Sequence, residues 1–220
     1  MMMINKKIAL ACVLLGTSFN SFADDDWSGF YAGGSLGVAS YSATFNDLDD
    51  DWDNQGLNGD NNIDGNIGVH AGVNFQEDSF VYGIEIGYTY FDNTSTGLPN
   101  YDDTPDDRLS SRLKGAVSLR ARAGLAAGKT LFYLAAGPQW AETKYDSFYD
   151  GAPYGYTTDT TIGLSGAVGL ERQITPNLSA RLQAEITSFE TTEQAETQNG
   201  NRMSHDDDLS NLSLGISYLF

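Results

Sequence analysis

Apolar residues recur at every second position through eight stretches of this chain, with small or polar residues between them. A period of two is the mark of β-strands, whose successive side chains point to opposite faces. The clearest stretch is 65–76. Ile67, Val69, Ala71, Val73 and Phe75 share one face there, and Asn66, Gly68, His70, Gly72, Asn74 and Gln76 the other. Over 80–91, Phe80, Tyr82, Ile84, Ile86, Tyr88 and Tyr90 align. Over 113–125, Leu113, Val117, Leu119, Ala121, Ala123 and Leu125 oppose Lys114, Ser118, Arg120 and Arg122. The stretches 161–173, 178–189 and 209–220 behave alike, and 29–41 carries Phe30, Ala32, Leu36 and Val38 on one face. In 131–141 both faces are rather apolar, with Phe132, Leu134, Ala136, Pro138 and Trp140 taken as outward. Pro138 counts against a strand there, because it cannot donate to a ladder.

The connections alternate in length. Residues 42–64, 92–112, 142–160 and 190–208 are long, polar and acidic, whereas 77–79, 126–130 and 174–177 are short. Gly128 and Pro176 supply turn chemistry in two of the short ones. Ahead of the strands, Lys6 and Lys7 precede a short apolar run over 8–15, and Ser21-Phe22-Ala23 offers small residues at a cleavage position. Residues 1–23 therefore read as a cleaved signal peptide, and 24–220 as one barrel domain.

After Ala23 no apolar run has the length of a membrane-spanning helix, so any span must be built of strands. Short turns alternating with long connections are the pattern of transmembrane barrels. The expectation is an all-β chain folded as an eight-stranded antiparallel up-and-down transmembrane β-barrel, both ends of it on the periplasmic side. A soluble barrel of lipocalin type would also alternate, with its apolar face inside. The polar face of these strands is rich in Gly and Ser and carries charges of both signs at strand centres. That suits a crowded interior better than a solvated surface.

Charge narrows the choice further. Without Lys6 and Lys7, ten basic residues face 30 acidic ones, a net charge of −20. Such a chain repels nucleic acid. Twelve Tyr, 11 Phe and 3 Trp argue against a disordered chain, which lacks apolar residues to bury. Cys12 is the only cysteine and falls in the leader, so the domain has no disulfide.

Glu85, Arg120, Arg122, Glu171, Arg181 and Glu185 all fall on the inward phase. An eight-stranded barrel is just wide enough for side chains to fill, and charges enclosed there need partners. One ion-pair network across a closed lumen is expected. The sharper alternative is a gate whose pairs swap to open an ion path. Asp60-Asn61-Asn62-Ile63-Asp64-Gly65 matches the first half of a calcium loop, which makes Asp60, Asn62 and Asp64 weak calcium candidates. The twelfth position is Ala71 where a bidentate Glu is required, so a solvated acidic loop is the expected state. His70 and His205 are the only histidines, one mid-strand and one beside Asp206. Neither comes with a nucleophile pattern, so no enzyme activity and no cofactor are expected. The outward aromatics fall into two sets, Phe75, Phe80, Tyr82, Tyr218 and Phe220 at one rim, and Tyr88, Tyr90 and Trp140 at the other, as girdles at the two membrane interfaces would require.

Trp27-Ser28-Gly29-Phe30-Tyr31-Ala32-Gly33-Gly34 resembles the opening strand of the small outer-membrane β-barrel family, the porin-like or opacity-type proteins. Segments 81–88, 118–124, 131–137, 166–171 and 178–185 resemble its later strands, so the likeness covers nearly the whole mature chain. The loops depart from it in being unusually acidic. The resemblance extends to the transmembrane domain of outer-membrane protein A, and both place similar Glu and Arg residues in the lumen. It implies a bacterial outer membrane location and a terminal aromatic, Phe220, read by the barrel-assembly machinery. The partners implied are outer-membrane lipid and lipopolysaccharide, with divalent cations or surface ligands at the loops as candidates. Fold does not by itself fix function. The leading expectation is a structural and surface-interaction role, the alternative a narrow cation-preferring porin-like channel, and a lipid-modifying barrel enzyme comes last. The lipid A deacylases carry a His-x-Ser pattern that neither histidine matches.

Overall fold

The computed structural model describes residues 26–47, 57–58, 62–97, 108–149, 152–195 and 202–220. The segment 1–23, expected to be a signal peptide, lies outside them. The strands in chain order are β1 (Gly29–Asp47), β2 (Leu57–Asn58), β3 (Asn62–Glu77), β4 (Phe80–Gly97) and β5 (Arg108–Ala127). They continue as β6 (Thr130–Tyr149), β7 (Ala152–Thr175), β8 (Leu178–Phe189), β9 (Thr192–Ala195) and β10 (Arg202–Leu219). Every pairing is antiparallel, and β1 bonds both β3 and β10. The eight long strands thus close into a barrel, while β2 and β9 are short additions that pair with the outer ends of β1 and β10. Closure leaves no sheet edge within the barrel wall.

Three of the connections are two-residue turns at the end of the barrel where Trp27 and Phe220 lie. Asp78 and Gly128 open two of them with positive φ, 53° and 58°, and Pro176-Asn177 forms the third. A left-handed residue suits tight hairpin turns, whose twist matches that of the strands. At the seam, the Phe220 amide donates to the Phe30 carbonyl at 2.9 Å, and the Asn177 side-chain amide donates to the Leu219 carbonyl at 2.9 Å.

Alternation divides each strand between two environments. Ile67, Val69, Ile84, Ile86, Leu119, Leu134, Leu164, Ile186, Leu214 and Ile216 all stand exposed on the outer surface. Their sequence neighbours, among them Asn66, His70, Glu85, Arg120, Gln183 and Ser213, are buried inside. A wall that is apolar without and polar within is stable only with hydrocarbon around it. On its lower rim Phe75 and Phe80 each stack on Tyr82, at 5.7 and 5.9 Å between centroids, and Tyr218 meets Phe220 edge-on at 5.1 Å.

Two expectations need correcting. Residues 142–160 do not form a long loop, because β6 runs to Tyr149 and β7 begins at Ala152. In the segments 42–64, 92–112 and 190–208 the described residues 42–47, 57–58, 62–64, 92–97, 108–112, 192–195 and 202–208 are likewise strand. Crossing a bilayer takes about 9–11 tilted residues, whereas β7 has 24. Once register is set inside the membrane, the ladder goes on pairing backbone groups in water, and the Thr- and Tyr-rich composition favours strand. Apolar alternation stops there because neither face meets lipid, which made these segments read as loops.

The second correction concerns Leu113, expected outward. It is fully buried, at 0% exposure, and Lys114 is half-exposed. The register of β5 against β6 shifts between Leu113 and Gly115, the signature of a β-bulge. One extra residue reverses the inside–outside phase, so above the bulge Leu113 and Ser111 face the interior.

Candidate functional site

The interior has three layers. Near the two-residue turns, Trp27, Tyr31, Val81, Leu131, Tyr133, Ala135, Ala167 and Leu219 pack together. Toward the outer end Ala39, Tyr41, Phe91, Leu113, Ala116, Ala141, Phe189 and Leu209 form a second apolar cluster. The charged residues are held on the strands between and beside them. Their backbone positions follow from the alternation. Glu85 lies on β4, Arg120 and Arg122 two apart on β5, Glu171 on β7, and Arg181 and Glu185 on β8.

Glu85, only 2% exposed, is the hub. Its Oε1 accepts from Arg120 Nη2 at 3.1 Å, and its Oε2 accepts from Arg181 Nη1 at 2.6 Å and from the Tyr31 hydroxyl at 3.0 Å. Arg120 donates through Nη1 to Glu185 Oε2 at 2.5 Å, and Gln183 Nε2 donates to the same oxygen at 3.1 Å. Arg122 donates through Nη2 to Glu171 and through Nη1 to the Tyr31 hydroxyl at 3.3 Å. Ser179 completes the Glu171 shell with a bond of 2.5 Å to Oε1. Three guanidinium groups and three carboxylates are thus joined in one neutral web, with Tyr31 linking the Glu85 and Glu171 halves. Enclosed charges are tolerated when paired and hydrogen-bonded in this way.

Ladder neighbours do not all choose each other. Arg181 stands opposite Glu171 in the β7–β8 register, yet it reaches across the lumen to Glu85, while Glu171 is held by Arg122. In the closed order of eight strands, β4 and β8 lie on opposite walls. The Glu85–Arg181 pair therefore ties the two sides of the barrel together.

The remaining candidates are placed as follows. His70 is buried, and its Nε2 lies 2.9 Å from Ser217 Oγ. His205 lies on β10 opposite Phe45. Asp60 lies outside the described residues, whereas Asn62 and Asp64 are in β3, laddered to Tyr41 and Ala39. An extended strand does not wrap a cation as a calcium loop does. Among the described residues no cluster of three or more His, Cys, Asp or Glu side chains could hold a metal. Phe220 is exposed at the lower rim beside Tyr218.

Alternation placed Gln183 on the inward face but missed Tyr31, Tyr133 and Ser179 as parts of the site. Tyr133 donates to Gln183 Oε1 at 2.9 Å and offers its ring to Arg122. The signal was available in the doublets Phe30-Tyr31, Phe132-Tyr133 and Tyr90-Phe91. Where two aromatics are adjacent in a strand, one must enter the lumen.

A closed antiparallel barrel with an apolar belt and an ion-paired interior defines an integral membrane protein of the outer-membrane type. The family described as outer membrane protein beta-barrel domain matches residues 9–220, and the chain belongs to it. It is accordingly an outer-membrane protein. The 25 kDa outer-membrane immunogenic protein of Brucella canis is 28% identical over 202 residues, covering 88% of this chain and 79% of that one. Two solved barrels share the fold. The outer membrane protein OprG from Pseudomonas aeruginosa has a TM-score of 0.50 at 13% identity, covering 87% of this chain and 98% of its own. The outer membrane protease OmpT from Escherichia coli has a TM-score of 0.54 at 10% identity, covering 91% and 99%. Likeness at these identities shows the architecture alone.

Proposed function

We propose that this protein is a non-enzymatic barrel with a sealed lumen, whose work is structural and is done at the cell surface by the outer ends of its strands. The observation that carries this reading is the layering of the interior. A path along the axis would have to pass both apolar clusters and break the Glu85 web between them, in a barrel whose width is filled by side chains. The long outer reach of β4 to β7 carries strand beyond the membrane, and the connection between β4 and β5 is acidic in sequence, with Asp102, Asp103, Asp106 and Asp107, so a ligand or a cation-bridged lipopolysaccharide headgroup would be met there. The Brucella relative is named as immunogenic, which fits a chain with surface-accessible ends. Among the described residues the lumen offers no base with an adjacent nucleophile in reach of solvent, since His70 is buried against Ser217, and this supports the non-enzymatic reading despite the protease of similar fold.

Barrel assembly through the C-terminal strand and Phe220 belongs to the same proposal. It is supported by the seam bond from the Phe220 amide to Phe30, since the last strand must meet the first to close the wall.

The test is planar-bilayer recording of the refolded protein, together with binding to whole cells or lipopolysaccharide before and after the outer strand ends are replaced by short turns. A silent bilayer and binding lost on truncation are expected. Steady, salt-dependent conductance that changes in Arg120→Ala would instead establish the narrow cation-preferring channel, and binding unchanged by truncation would remove the surface role.

A further inference from the structure

The outer wall of the barrel is not evenly filled. A groove of about 570 Å³ runs over β6, β7, β8, β10, β1 and β3, with an almost wholly apolar lining. Its sides are Leu134, Val168, Ile186, Leu212, Val38 and Ile63, all outward-facing and exposed. Its floor is shallow-chained, with Gly166 and Ala184 at the centre and Ser40 and Ser210 toward the upper end.

Register shows its course. Leu134, Val168, Ala184, Leu212 and Val38 are successive ladder partners around the wall. Leu134 lies near the periplasmic start of β6, whereas Ile63 lies at the outer start of β3. The strands tilt, so this row climbs from mid-membrane to the outer rim. The four inter-strand steps from Leu134 to Val38, at about 4.8 Å each, give a length of roughly 19 Å, on the order of one extended acyl chain.

The emptiness of the floor is not a demand of the fold. Cβ atoms added at Gly33, Gly83, Gly124, Gly137 or Gly169 would fall within 2.6 Å of other atoms, but one added at Gly166 meets nothing within 4 Å. Backbone packing would accept a side chain there, and the space is left on the lipid side.

We infer that this groove is a seat for one acyl chain of lipid A, entering from the outer leaflet past Ser40 and Ser210. The surface is continuous with the membrane-facing belt, so its occupant is hydrocarbon. Its mouth is at the outer rim, where lipopolysaccharide forms the leaflet, and the two hydroxyls stand where the hydroxyl and amide groups near the head of a hydroxyacyl chain would lie. The inference rests on the outer-membrane location and is independent of the sealed-lumen reading.

The experiment uses the full chain expressed with its leader and extracted from native outer membranes in mild detergent. Retained lipid is hydrolysed, and 3-hydroxy fatty acids and phospholipid chains are counted per barrel by mass spectrometry. The groove is filled by Gly166→Leu with Ala184→Leu, and Ala123→Leu, on the outer face of β5 away from the groove, serves as control. The unfilled protein and Ala123→Leu are expected to retain 3-hydroxyacyl lipid, and the filled variant to lose most of it while keeping its unboiled gel mobility. Equal retention by the filled variant overturns the inference. So does a groove-dependent lipid that lacks 3-hydroxy chains. Should the double leucine variant not fold, Gly166→Ala with Ala184→Val narrows the same groove and is read in the same way.

Discussion

The guanidinium carbon of Arg122 stands 3.8 Å from the centroid of the Tyr133 ring. On its other side Tyr31 lies 5.5 Å from the same carbon, and Glu171 takes the charge-assisted bond. Arg122 is thus solvated entirely by protein, with two aromatic faces replacing water. Cation–π contact of this desolvated kind is worth about 2 kcal/mol. Tyr133→Leu should therefore cost roughly 2–3 kcal/mol, as the contact and the bond to Gln183 are lost together. Tyr133→Phe should cost only about 1 kcal/mol, since it loses the bond alone. Urea titration of the folded gel band compares the two, and equal losses would remove the aromatic face from the account.

Glu85 is the carboxylate on which most of the web depends. Glu85→Gln leaves Arg181 without its carboxylate and Arg120 with one carboxylate in place of two. The expected loss is about 3–5 kcal/mol, that of breaking a buried pair. Replacing both members by apolar side chains, Glu85→Leu with Arg181→Leu, should be less damaging than Glu85→Leu alone, because no charge is stranded. Urea midpoints of the three variants check this. A double variant worse than the single would show that the pair stabilises beyond its own desolvation.

Gly166 and Gly169, three residues apart on β7, should respond differently to alanine. A Cβ at Gly169 would lie 2.2 Å from the Tyr133 ring, which is pinned between Arg122 and Gln183. Gly169→Ala should cost about 1–3 kcal/mol as an overpacked core does. Gly166→Ala should be within about 0.5 kcal/mol of the parent, as for surface changes away from special features. Refolding yield into lipid vesicles and urea midpoints would separate them, and equal effects would contradict the packing described.

Lys114 is the extra residue of the bulge, and Leu113 beyond it lies inside the outer apolar cluster. Deleting Lys114 removes the extra residue and leaves Gly115 opposite Glu142 and Leu113 opposite Thr143 in an unbroken ladder, so position 113 should stay inward without a bulge. Residues 24–220 hold no cysteine, so Leu113→Cys can be probed alone. The thiol should be shielded from maleimide in the parent and in the deletion variant alike. A thiol that reacts after the deletion would mean that Lys114 is not the residue that sets the phase.

Much of this arrangement was readable from alternation. His70, Glu85, Arg120 and Gln183 lie on one phase, Ile67, Ile84, Leu119 and Ile186 on the other, and the presence of Gly, Ser and both charge signs on the first phase told inside from outside. The method failed where its premise failed. At Leu113 a single added residue inverted the phase, and a bulge has no distinctive local composition. Beyond the apolar belt the outward face of β6 and β7 no longer meets lipid, so strand left no apolar rhythm to read. The inward aromatics Tyr31 and Tyr133 were hidden because their outward neighbours are aromatic too.

The sequence alone determined the period, the polarity of the two faces, the short turns and hence an eight-stranded wall closed in lipid, because these depend on residues one or two positions apart. Which charge meets which was decided only by the tertiary structure. Arg181 has Glu171 beside it in the ladder and bonds Glu85 on the far wall instead, a choice set by the curvature and stagger of the closed sheet. Those are properties of all eight strands together, and no local stretch of residues encodes them.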